Sequence, residues 1–98
     1  MSLPLGVSPA ARLDILDAQS WYDQQRTGLG EAFSLAVEKL FDQIAGMPAL
    51  YAVIEDDVRG AKVPRFSYNV YYRLLADRVE VLAVMHASRD PQAWQSRI

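Results

Sequence analysis

The chain has 98 residues, 51% of them hydrophobic, with a formal net charge of −2 at pH 7, which bounds it to one domain, residues 1–98, with material for a single modest core. The absence of cysteine and the single histidine exclude disulfides, thiolate metal sites and multi-histidine metal centres. No apolar run approaches the roughly 20 residues that span a bilayer, and no basic segment followed by an apolar stretch opens the chain, so a small cytoplasmic protein without metal or cofactor is expected.

Leu3 to Val7 reads as a short first strand, with Pro4 placing it at a sheet edge or delaying its start. Ser8-Pro9 is a helix start, Ser8 as N-cap and Pro9 at the first helical position, where its missing N–H costs nothing. Ala11, Ile15, Ala18 and Tyr22 follow at helical spacing with Leu16 beside them, so a helix is predicted to about Gln25 or Arg26. Thr27-Gly28 breaks it. A second helix carries Phe33, Ala36, Val37, Leu40, Ile44 and Met47 on one stripe, and Gly46 and Pro48 end it. So short a break makes an antiparallel helical hairpin whose apolar stripes must bury against a sheet.

Ala49 to Asp57 is less regular, a packed loop or a short strand closing on the acidic turn Glu55-Asp56-Asp57. Val58 to Val63 reads as a strand interrupted by Gly60. Pro64 to Asp90 then holds two runs rich in aromatic and β-branched residues around Ala76-Asp77, a β-hairpin. With those two residues as the loop, Leu75 faces Arg78, Arg73 faces Glu80, Tyr72 meets Val81, Tyr71 meets Leu82, Val70 meets Ala83 and Asn69 meets Val84. Each such pair is worth about 0.2–1 kcal/mol. Ala-Asp is not a favoured two-residue loop, so a longer turn with shifted register stays open. The strand ends at Ala87-Ser88, and Asp90-Pro91 caps a last short helical turn containing Trp94, with Asp90 as N-cap and Pro91 at the first position. The fold class is therefore α+β, in the order β-α-α-β-β-β, with the helical hairpin packed on a small, mostly antiparallel twisted sheet.

The small net charge hides an asymmetry. Residues 1–57 carry Arg12, Arg26 and Lys39 against nine acids, a net of −6, whereas residues 58–98 carry seven basic residues against Asp77, Glu80 and Asp90, a net of +4. Such polarity suits a face that meets a polyanion or an acidic protein, or simply a solvated sheet face. The sheet surface opposite the helices is expected to hold much of the basic set.

Trp21-Tyr22, Gly28-Leu29-Gly30-Glu31-Ala32-Phe33, Pro48-Ala49-Leu50-Tyr51, Asp57-Val58-Arg59, the run from Arg65 to Arg73 and the tail from Val84 to Pro91 with Trp94 together resemble the ParE branch of the RelE/ParE toxin superfamily, over about residues 7–95. One departure is Phe66-Ser67-Tyr68, where the family often has Phe-Pro-Tyr; Pro64 here precedes the phenylalanine by two residues. The resemblance implies the toxin of a type II toxin–antitoxin module, also known as a plasmid stabilisation protein, neutralised by a ParD-like antitoxin that folds along its surface. ParE-like members block DNA gyrase by binding it. RelE-like members instead cleave messenger RNA on the ribosome.

In the binding reading no residue is catalytic, and Arg59, Arg65, Tyr71, Arg73 and Arg89 are the partner-binding candidates. Metal-free RNA cleavage needs a group to activate the 2′-hydroxyl, a proton donor and cations for the developing charge; Lys62, Arg65 and Arg89 are candidates for the cations and His86 for the proton. Against that alternative, the strand position where RelE-like enzymes commonly place an arginine holds Asn69, and no tyrosine follows Tyr72. Trp21, Tyr22, Tyr68, Tyr71 and Tyr72 are expected mostly in the core, with Tyr71 on the Arg73 face also placed to meet a partner, and Gly28 and Gly30 lack the preceding strand of a phosphate-binding loop.

Overall fold

Ser8 caps the first helix as its place before Pro9 predicts. In the computed structural model, which describes residues 2–98, its hydroxyl accepts the Ala11 N–H at 3.1 Å. Helix α1 runs Pro9–Gln25 and α2 runs Leu29–Gly46. The turn between them needs both glycines. Gly28 sits at φ 89°, a left-handed conformation open to residues without a Cβ. Gly30 lies against α1, where a Cβ would fall 2.4 Å from the Gln19 carbonyl oxygen. Its N–H donates to Asp23 Oδ1 at 2.8 Å, so a carboxylate also faces the positive end of α2.

Five strands follow: β1 (Leu5–Val7), β2 (Val53–Glu55), β3 (Val58–Lys62), β4 (Tyr68–Leu74) and β5 (Val79–His86), in the sheet order β1-β5-β4-β3-β2. β1 is an edge strand parallel to β5, and it starts after Pro4. All other pairings are antiparallel. The chain thus has one strand more than the expected order, and it lies in the stretch read as a packed loop or a short strand. β2 is three exposed residues joined to β3 through Asp56, held at φ 49°. The expected last helical turn is α3, Gln92–Gln95, preceded by Asp90, whose Oδ1 accepts the Gln92 N–H at 2.9 Å.

The helical hairpin covers one face of the sheet. Phe33, Val37, Leu40 and Ile44 of α2 and Ala11 and Ala18 of α1 bury against Ala61, Val63, Val70, Tyr72, Val79, Val81 and Val84. Met47 and Leu16, expected on or beside the stripes, are instead 60% and 58% exposed. Between α2 and β2 the chain makes a 3₁₀ turn, Pro48–Leu50. Its carbonyls are taken from the sheet: Tyr72 donates its hydroxyl to Pro48 at 2.5 Å, and Arg59 donates to Tyr51 at 2.6 Å and to Ala49 at 3.3 Å. Burial pushes the Tyr72 hydroxyl up to about 12, with Arg59 opposing and Tyr51 reinforcing.

The central hairpin keeps its predicted two-residue loop, since Leu75 N–H donates to the Arg78 carbonyl at 2.8 Å. Arg73 faces Glu80 and Tyr72 faces Val81, as the two-residue loop predicts. A β-bulge then shifts the register by one residue, so Tyr71 meets Ala83 rather than Leu82, Val70 meets Val84 and Asn69 meets Met85. The period of two makes such a slip exchange faces. Val79, Val81 and Val84 therefore point at the helices, while Leu82, Ala83 and Met85 point away.

The bulge occurs where β1 has already ended. Its freed backbone groups bond elsewhere: Val84 N–H donates to Asp14 Oδ2 at 3.0 Å, and the Leu82 carbonyl accepts from Arg97 at 3.1 Å and from the Ser8 hydroxyl at 3.4 Å. Arg97 also binds both Asp14 oxygens, at 2.6 and 3.1 Å. The other face of the sheet is not the open cationic surface expected from the charge pattern. Val58, Tyr71, Leu82, Ala83 and Met85 form a second apolar layer, and α3 covers it. Trp94 stacks on Tyr71 with ring centroids 4.7 Å apart and an interplanar angle of 12°.

Candidate partner-binding site

The cations singled out in the sequence do not gather on one surface. Arg59 faces the helices and is spent on the carbonyls of the 3₁₀ turn. Arg73 lies on the α3 side and pairs with Asp57 at 3.0 Å. Lys62, beside Asn69 at the end of β3, is on that same side. Arg65 leaves the sheet at the β3–β4 connection, and Arg89 lies in a cleft between α1 and β5. Tyr71 is buried under Trp94, 8% exposed. Trp21, expected in the core, is 53% exposed and meets Tyr22 edge-on. Tyr22, Phe33, Phe66 and Tyr68 instead form the aromatic cluster beneath it.

Of the four residues in the RNA-cleaving alternative, only His86 and Arg89 come together. They share the cleft between α1 and β5, about 280 Å³, with Asp14, Asp17 and Tyr68. His86 Nδ1 accepts the Ser88 N–H at 3.0 Å and meets the Ser88 hydroxyl at 2.7 Å. A backbone N–H only donates, so this nitrogen is an acceptor engaged in the turn that ends β5. The Tyr68 hydroxyl titrates above its ordinary value, chiefly through burial, with Arg89 opposing and the two aspartates reinforcing. It stays protonated at neutral pH and supplies no phenolate base.

The larger concavity, about 590 Å³, lies between α2 and the β3–β4 connection. Leu29, Ala32, Ala36, Lys39 and Gln43 line it from α2, a second helical stripe beside the buried one. Opposite stands a tight turn in which Phe66 N–H donates to the Val63 carbonyl at 3.3 Å. Pro64 occupies its second position and Arg65 its third, at φ 70°. These are the marks of a type II turn, whose third position ordinarily asks for glycine. Holding an arginine there costs about 1 kcal/mol. The resulting groove carries Arg26, Lys39 and Arg65, and no acidic residue lines it. The ion pairs among the described residues involve Arg73, Arg78 and Arg97, none of these three.

A family model described as "ParE toxin of type II toxin-antitoxin system, parDE" matches residues 5–91. The chain belongs to the ParE toxin family. It is 26% identical over 99 residues to "Toxin ParE2" in two strains of Mycobacterium tuberculosis, covering 100% of this chain and 94% of each relative. Its fold is similar to a solved chain of "Chromosomal ParDE TA system from P. aeruginosa", with a TM-score of 0.77 and 11% sequence identity over 87% of this chain and 96% of that one. The ParE match begins at β1 and stops at Pro91, ahead of α3.

Arg26 and Lys39 were not singled out from the sequence, where the one signal is that they are two of only three basic residues in the acidic N-terminal half. Asp14 and Arg97, 83 positions apart, left no local signal.

Proposed function

We propose that this ParE-family chain is the toxin of a two-gene module, held silent in the cytoplasm by a cognate ParD-like antitoxin, and that the free toxin acts by binding DNA gyrase. Family membership carries the toxin and antitoxin parts of this reading. The binding mode is supported by the scatter of Lys62, Arg65 and the His86–Arg89 pair over three separate surfaces, because metal-free phosphoryl chemistry needs its cations and proton donor around one phosphate.

Purified toxin assayed in parallel for gyrase supercoiling and for cleavage of ribosome-bound message tests the proposal. Loss of supercoiling with intact message is the expected result. Message cleavage with supercoiling untouched would overturn it in favour of an RNase. Neither activity, together with normal growth on expression, would mark a non-toxic homologue. Adding the product of the adjacent reading frame should restore supercoiling.

A further inference from the structure

We propose that the free edge of β1, with the groove beside it between α1 and α2, joins two copies of this chain across a two-fold axis at Gly6. Such a dimer concerns the free protein and does not depend on the toxin reading. The backbone of β1 alternates in direction. The Pro4 carbonyl accepts from Val79 and the Ser8 N–H donates to Val81, so Pro4, Gly6 and Ser8 face inward to β5. Leu5 and Val7 therefore turn their N–H and C=O groups outward, where no described residue bonds them. Pro4 lacks its N–H on the β5 side and does not guard this outer edge. The opposite edge of the sheet is protected. There β2 carries a register shift and runs into Glu55-Asp56-Asp57, an irregularity and charges that discourage pairing.

Three observations favour a second copy as the occupant. Gly6 is the first. Its φ is not positive, and a Cβ there would meet nothing within 4 Å, so nothing in the single chain calls for glycine. With Gly6 opposite Gly6 in an antiparallel pair, the two form a non-hydrogen-bonded pair, whose Cα atoms approach to about 4.5 Å, a close contact that glycine eases. Leu5 of each copy then exchanges its N–H···O bonds with Val7 of the other, which satisfies every outward group of β1. The groove is the second. Of about 430 Å³, it is floored by Ile15, Val37 and Phe41, with Leu16 58% exposed at its side. Pairing two short strands buries far less than the roughly 800 Å² per partner of a stable interface, and this apolar strip supplies further area. Charge is the third. The groove holds Arg12 and Glu38, one of each sign, and neither joins an ion pair among the described residues. α1 leaves β1 at its Val7 end, whereas α2 returns to the other end, where Leu3 N–H donates to the Ala45 carbonyl at 3.0 Å. The two-fold lays the Val7 end of one copy beside the Leu5 end of the other and so brings Arg12 of each toward Glu38 of its mate. A nucleic acid would instead meet Glu38 with repulsion.

Sedimentation equilibrium of the full-length chain, purified without antitoxin, tests this from about 1 to about 200 μM at about 0.1 M salt. A mass twice that of the 11.0 kDa chain is expected at the upper concentrations. Arg12→Glu and Glu38→Arg should each weaken the dimer by about tenfold or more, since each change enters the interface twice, and the double variant should return to within about threefold of wild type. Val7→Pro removes an outward N–H and sets its ring on the edge, so it should leave the chain monomeric. The charge variants sit on exposed positions of the helices and keep the test decisive if Val7→Pro misfolds. Amide exchange followed by NMR locates the contact: the Leu5 and Val7 N–H groups should exchange quickly in dilute wild type and slow as the dimer forms.

A free chain that stays monomeric at about 200 μM would overturn the proposal and leave the toxin reading untouched. A dimer in which the Leu5 and Val7 amides still exchange quickly would overturn it too, by placing the contact elsewhere. So would single charge variants that dimerise as wild type does, or a double variant no tighter than either single one. A monomeric free chain whose affinity for the cognate antitoxin falls by about tenfold or more in Val7→Pro would reassign the edge to a strand of that partner.

Discussion

Asp14 is the residue whose loss should cost the fold most for its size. Its carboxylate, 14% exposed, accepts the Val84 N–H at 3.0 Å and binds two nitrogens of Arg97 at 2.6 and 3.1 Å. Asp14→Ala leaves Val84 N–H, on a residue 1% exposed, without a partner, at about 1–2 kcal/mol. Arg97 loses its bidentate anion but keeps the Leu82 carbonyl and is 26% exposed, so water recovers part of the loss and about 1 kcal/mol remains. The sum is about 2–3 kcal/mol, a fall in melting temperature of about 10–20 °C for a domain of this size. Arg97→Met should cost only about 1 kcal/mol, because Asp14 still holds Val84. Urea titrations of wild type, both single variants and the double variant, followed by far-UV circular dichroism, give a coupling of about 1 kcal/mol between the two residues. If Asp14→Ala costs no more than Arg97→Met, the bond to Val84 contributes nothing and this account of how the bulge is held is wrong.

Three further predictions concern positions where one contact dominates. Gly30→Ala should lower stability by about 1–3 kcal/mol despite alanine's better helix propensity, since the new methyl meets backbone 2.4 Å away; a melting temperature equal to or above wild type would show that α1 and α2 can separate freely. Trp94→Ala should cost about 2–4 kcal/mol and uncover Tyr71, Leu82 and Met85, read as increased binding of a hydrophobic dye to the folded protein; unchanged dye binding would mean α3 is not their cover. Tyr72 has a folded pKa raised to about 12 from 10.0, so its neutral form stabilises the fold fully below pH 10, and that contribution is lost as pH rises toward 12, by about 2 kcal/mol. The urea midpoint of wild type should fall more steeply between pH 10 and 12 than that of Tyr72→Phe, and parallel curves would refute the assignment.

What the chain settled locally was legible without coordinates. Ser8-Pro9 set the start of α1, Gly46 and Pro48 the end of α2, and the stripe Phe33, Val37, Leu40 and Ile44 found the core because helix periodicity is a property of neighbours in sequence. The ordered motifs from β1 to Pro91 were enough to place the chain in its family. Three things were decided only in three dimensions. The bulge at Leu82 reversed the faces of the end of β5, since its freed backbone groups are satisfied by Asp14, Ser8 and Arg97 from distant parts of the chain. A three-residue strand, Val53–Glu55, is too short to show a period of two. The cations went where particular acceptors, carbonyls and clefts lay rather than where their sequence neighbourhood suggested, because charge count is additive along a chain but ion pairing is settled by distance in space.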